Sequence, residues 1–232
     1  MNNSKKSTKK LYPNEILNEA FHIPSRYKAN CYTFSLGPKV GPHGYSSTRA
    51  HKARPGDKCK KWRQKEFNFK SCSEFVERIL CDNPEFVQLE YFNRLSTKNM
   101  KQYTGKNYDR KIDNGWHLIA AYLADGSHGT DFHFLRRVEL KHILKKWNLF
   151  KQNTPTSTKR ELYNLLSLPK SKHPKYLWIH QRGWSSGGPI MYGADNKLIF
   201  HPAEANLNYP HLNYNILCGI FKVKTRYATV NS

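Results

Sequence analysis

The clearest periodic stretch is SCSEFVERILC, residues 71–81. Cys72, Phe75, Val76, Ile79 and Leu80 recur at helical spacing behind a Ser71/Glu74 capping-box pair. A shorter amphipathic helix is predicted for EILNEAF behind Asn14, with Ile16, Leu17 and Ala20 on one side. Later the pattern changes. GWHLIAAYLA (115–124), DFHFLRRV (131–138), KYLWIHQRG (175–183), DNKLIFHP (195–202) and CGIFKVKT (218–225) read as strands rich in aromatic and β-branched residues. Between the second and third of these, ELKHILKKWNLF (139–150) and KRELYNLLSL (159–168) return to helical periodicity. The expected class is α+β: N-terminal helices on an antiparallel sheet, with a helical insertion at 139–170 between two neighbouring strands. Gly37 to Asp57, with three prolines and four glycines, reads as a long surface loop. No internal repeat is visible.

Composition and charge narrow the partners. The 232 residues suffice for one sizeable core. Residues 1–12 form a basic flexible tail and 13–232 a single domain on this reading. The net charge of +22 attracts polyanions: nucleic acid, an anionic membrane surface or an acidic polymer. No recognisable DNA-reading module accompanies it. The polar, lysine-rich start has no apolar stretch of a signal or membrane span, so a soluble, intracellular protein is expected, cytoplasmic or in a virion. Five cysteines at irregular spacing argue against a disulfide framework and make free thiols the expectation. No Cys-x-x-Cys pair exists, so neither a metal nor a cofactor is expected.

One cysteine stands apart. In NCYTFSL (30–36), Asn30 is a favoured N-cap and puts Cys31 at the first helical position, where N–H groups lower a thiol pKa. Tyr32, Phe34 and Leu36 would bury the helix, and Gly37-Pro38 would stop it. Cys72 also follows a cap but shares the apolar face of its helix, so it reads as structural. Cys59 sits among Lys58, Lys60 and Lys61 and could be reactive, while Cys81 and Cys218 fit ordinary burial. A thiol nucleophile needs a base and a group to orient it. Strand parity puts His133 opposite in direction to Phe132 and Phe134, and His180 on one face with Tyr176 and Trp178. Neighbouring strands would set the two imidazoles side by side. Each histidine taken alone reads better as a satisfied residue at a sheet surface.

The pieces NCYTFSL, PGD (55–57), DFHFLR, LWIHQRGW and CGIFKV, in that order, resemble the papain-like cysteine peptidases and amidases of the NlpC cell-wall hydrolase type. The resemblance covers islands within residues 28–225. It implies a papain-like core, standard or circularly permuted, with Cys31 as nucleophile, His133 as general base and His180 as the third polar member. His180 follows His133 by 47 residues (180 − 133), and the insertion accounts for that length. The family's lysine after W-x-H is Gln181 here, with Arg182 next, and its D-P is His201-Pro202.

The expected function is therefore a cysteine-dependent hydrolase of a peptide or other amide bond, acting through a thioester. Tyr32, Trp178 and Trp184 are candidate substrate contacts, and Trp116 could line a groove. Asp131 could orient something near His133 or end a turn. Residues 185–188 read as a flap or a plain hairpin loop. The alternative is a non-enzymatic, virion-associated protein on the same scaffold, using its basic surface and tail to bind nucleic acid, another polyanion or virion proteins. Abundant Lys, Asn and Tyr suit a large DNA virus with an AT-rich genome. A nucleic-acid-binding protein proper would show a contiguous Lys/Arg face with exposed aromatics.

Overall fold

The computed structural model describes residues 30–36, 54–57, 59–62, 71–84, 87–91, 116–124, 131–181, 189–210 and 212–224. The basic tail, the helix expected at 14–20, Trp184, the 185–188 segment and most of the 37–57 loop lie outside them. The described elements follow the expected class. Helix α1 (Cys31–Leu36) and helix α2 (Cys72–Asp82) precede strands β1 (Val87–Tyr91), β2 (Trp116–Leu123) and β3 (Phe132–Glu139). The insertion follows as α3 (Leu140–Lys145), α4 (Trp147–Lys151) and α5 (Thr156–Ser167). Then come β4 (Tyr176–Ile179), a two-stranded ribbon of β5 (Asn208–Tyr209) and β6 (Leu212–Asn213), and β7 (Ile216–Lys224).

The main sheet has five strands in the order β1-β7-β2-β3-β4. Every pairing in it is antiparallel. One face carries α1 and α2: Cys31, Tyr32, Leu36, Phe75 and Ile79 pack on Phe132, Phe134 and Phe221. On the other face, Leu135, Trp178 and Ile220 pack under Ile199, Leu207 and Tyr214. Alternation along β2, β3 and β7 lays apolar side chains on both faces, as a sheet covered on both sides requires. β3 runs straight into α3, and the insertion returns at its starting point. Leu140 N donates to Lys175 O at 2.9 Å, and β4 pairs with β3 from Glu139↔Tyr176 onward. The inserted helices attach through Ile143, Phe150 and Leu162, which pack with Phe34 and Leu177.

Ser71 caps α2 as the pattern predicts, its Oγ accepting from Glu74 N at 3.3 Å. The reciprocal half of the box is missing, because Glu74 Oε1 instead takes Arg78 Nη2 at 2.6 Å. The strand expected at 195–202 is a correction. Residues 194–196 turn, with Asn196 in the left-handed region at φ 62°, and Pro202 opens a single 3-10 turn. Of the pairing there remain a bridge between Tyr192 and Leu198 and the main-chain hydrogen bonds of Ile199 with Trp178 and Met191. Leu198 and Ile199 are both buried, and no strand facing water on one side hides two consecutive side chains. The pattern also missed β1 and the β5–β6 ribbon.

The cysteine expectation is overturned. Cys59 bonds to Cys81 and Cys72 to Cys218, leaving Cys31 as the free thiol. The bridge partners have Cα separations of 5.7 and 5.1 Å, within ordinary disulfide reach. The second bridge forms because α2 lies across β7, a contact that spacing along the chain does not reveal. Cys59 is thus oxidised rather than reactive, and Cys81 and Cys218 are bridge partners rather than simple filler.

Candidate active site

Asn30 builds the start of α1. Its Oδ1 accepts from Thr33 N at 2.9 Å and from Thr33 Oγ1 at 2.8 Å, while Phe34 N donates to Asn30 O. Cys31 therefore occupies the first helical position, as its sequence predicts. Tyr32 sits behind it. Its hydroxyl donates to Asp82 Oδ2 at 3.3 Å and accepts from Asn83 Nδ2 at 2.9 Å. The same Asp82 oxygen accepts from Gly56 N at 2.7 Å, so Asp82 ties the PGD turn to α1 through Tyr32. Gly56 needs its φ of 98° to close that turn from Arg54 O to Asp57 N.

The edge of β3 receives the sulfur. Ala124 N donates to Asp131 O, so odd-numbered residues of β3 aim their main-chain groups at β2. Even-numbered residues aim theirs at β4, whose ladder with β3 begins only at Arg136↔Ile179. Beyond that point Cys31 lies along the strand edge, its Sγ donating to Phe132 O at 3.6 Å. The thiol thus rests against the main chain on the two sides of His133. It is 5% exposed and His133 only 2%.

His133 projects from the face of β3 opposite Phe132 and Phe134 and meets His180 as parity predicts. Their Nε2 and Nδ1 atoms are 2.7 Å apart, with the rings nearly perpendicular at 86°. His180 Nε2 lies 3.0 Å from Tyr192 O. A carbonyl only accepts, so His180 Nε2 carries a proton. In neutral His180 the Nδ1 atom is then an acceptor, and His133 Nε2 must donate to it. Neutral His133 therefore has no proton on Nδ1. A main-chain carbonyl two groups away sets the tautomer of the candidate base.

Sequence reasoning gave no role to Tyr214 and left Asp131 open. The Tyr214 ring stacks on His133, centroids 4.9 Å apart and planes 28° from parallel. Its hydroxyl donates to Asp131 Oδ2 at 2.7 Å, and Asp131 Oδ1 accepts from Phe132 N at 2.8 Å. His133 is held at its edge by His180 and across its face by Tyr214. Asp131, two residues ahead of the histidine, was the one legible hint. Nothing in the sequence connects Tyr214 to it.

The helix mouth does not lower the thiol pKa overall, which corrects the sequence expectation. Burial pushes the Cys31 thiol well up, and the Asp131 carboxylate adds to this. The main-chain N–H groups of Phe134, Tyr32 and Cys31 itself act the other way and lose. Cys31 is therefore a neutral thiol in this state. Removing the carboxylate charge should lower its pKa. Asp131→Asn is expected to move the onset of iodoacetamide alkylation to lower pH. An unchanged or upward-shifted pH–rate profile would show that Asp131 does not act on the sulfur.

The proposed substrate contacts fare less well. Tyr32 is committed to Asp82 and Asn83 inside the core, and Trp178 is 1% exposed beneath Ile199 and Leu207. Neither ring lines a groove, because both faces of the sheet are covered. Trp184 lies outside the described residues. Trp116 sits at the far end of β2 from Tyr122, the partner of His133, with the Lys222 ammonium over its ring. His201 Nδ1 accepts from Ala203 N at 3.1 Å and caps the 3-10 turn that Pro202 opens. Among the described residues no group of three or more His, Cys, Asp or Glu side chains could hold a metal ion. No helix among them is long and apolar enough to cross a membrane.

Compared with family models, curated proteins and solved structures, the chain finds no match. What stands is the class itself: a mixed α+β fold on an antiparallel sheet, with a free thiol and two hydrogen-bonded histidines on neighbouring segments of the sheet.

Proposed function

We propose that the protein is a papain-like, cysteine-dependent hydrolase of a peptide or other amide bond. The observation that carries this reading is the His180–His133 pair of fixed tautomer, with His133 on the strand whose edge holds the free thiol. Cys31 Sγ attacks the substrate carbonyl carbon and its proton passes to His133 Nδ1. Main-chain N–H groups at the start of α1 hold the oxyanion. The C–N bond then breaks, and the leaving amine takes the proton from Nδ1. Water attacks the thioester, giving its proton to Nδ1. The C–S bond breaks, and the sulfur recovers that proton. His180 and Tyr214 keep the imidazole in place throughout, and His180 stabilises the imidazolium by accepting from Nε2.

The buried, neutral thiol demands that substrate or a moving segment open the site. It also supports a second reading, a retained scaffold that does no chemistry. Intact-mass spectrometry separates the two. Incubation with activated acyl esters should add one acyl group to the Cys31 peptide, removable by hydroxylamine. No adduct at any acyl group tested, with the fold intact, leaves the scaffold reading.

A further inference from the structure

The inserted helices carry a feature that the catalytic reading does not use. Trp147 opens α4 and Tyr163 lies mid-way along α5, and their rings meet edge to face with centroids 6.3 Å apart. Tyr163 is 53% exposed. Five cations lie within four residues of one ring or the other along the chain. Lys145 and Lys146 directly precede Trp147, and Lys151 follows it by one turn. Lys159 and Arg160 lie one turn before Tyr163.

The two carboxylates of the insertion form no ion pair with these five cations. Glu161 Oε2 accepts from Leu198 N on the neighbouring segment. Glu139 is paired with Lys141 at 2.6 Å. The ion pairs among the described residues include none of the five cations around the two rings. Outward positions between them are polar: Asn148, Gln152, Asn164 and Ser167.

We propose that this face of the insertion binds single-stranded nucleic acid. The cations track the phosphates, and the open face of Tyr163, braced by Trp147, stacks a base. A duplex offers no unstacked base to such a ring. A membrane-inserting face would need a continuous ridge of large apolar side chains, and here amides and hydroxyls interrupt it. The proposal does not depend on the hydrolase reading, because none of these residues belongs to the candidate active site.

The test uses the full chain and a fluorescein-labelled oligothymidylate, read by anisotropy over a range of salt concentrations. Wild-type binding should weaken steeply with salt. Lys145→Glu/Lys151→Glu/Arg160→Glu, all at exposed positions, should weaken it more than tenfold and flatten the salt slope by about 2. Tyr163→Ala should weaken binding about tenfold with the slope unchanged, since it removes stacking and no charge. Unchanged thermal midpoints show that both variants remain folded. The proposal is overturned if the triple variant binds as wild type, which would place binding on other basic segments. It is overturned equally if Tyr163→Ala has no effect, or if vesicles of anionic phospholipid displace the oligonucleotide through the same residues.

Discussion

Replacing Cys31 with alanine is expected to remove all thiol reactivity from the unreduced chain and to lower turnover of any cleaved amide by at least about 10³-fold. The first half follows from the cysteine pairing. With Cys59, Cys72, Cys81 and Cys218 bridged, a thiol count on the denatured, unreduced protein should give one per chain and fall to zero in the variant. In the native protein the count should rise slowly, because the sulfur is buried and protonated. The second half follows from the chemistry, since alanine leaves His133 with no nucleophile to deprotonate. Losing one buried sulfur costs about 1 kcal/mol in stability, so a folded, inactive variant is expected. Hydrolysis that persists in Cys31→Ala at the wild-type rate sinks the thioester mechanism.

Loss of the Cys72–Cys218 bridge should have the largest effect on stability. It joins α2 to β7, the strand between β1 and β2, across a sequence separation of 146. For a loop that long, the entropy restored to the unfolded chain destabilises the fold by about 5 kcal/mol. For a protein of this size that is a fall in thermal midpoint on the order of 10 °C. Cys72→Ala/Cys218→Ala, compared with wild type under non-reducing conditions by calorimetry, checks it. A double variant as stable as wild type would mean that packing of Phe75 and Ile79 on Phe221 holds the two elements without help. The bridges also bear on where the chain folds. Disulfides form in oxidising compartments, and the reducing interior expected from the sequence would oppose them.

Much of the candidate site was legible because it rests on local rules. An N-cap sets the position of Cys31, and the period of two sets the faces of His133, Trp178 and His180. The inserted helices were legible from their periodicity, and so was the adjacency of the strands on either side of them. The illegible parts are those where distant segments meet. Tyr214 reaches His133 by way of the irregular path after Pro202, and Tyr192 presents a carbonyl from a segment that was not expected to bridge. The strand predicted at 195–202 failed because apolar side chains in a turn packed on two sides look, in sequence, like a strand.

The residues alone determined the mixed α+β class, the helix that begins at Cys31 and the pairing of two imidazoles across adjacent strands. Each depends on backbone geometry repeating over a few residues. Only the tertiary structure decided that four cysteines are bridged and that the thiol is neutral. It alone put a tyrosine and a carboxylate beside the candidate base. Bridging depends on distances between elements far apart in the chain. The protonation of Cys31 depends on how completely its neighbours exclude water, and here that burial outweighs the helix's own N–H groups.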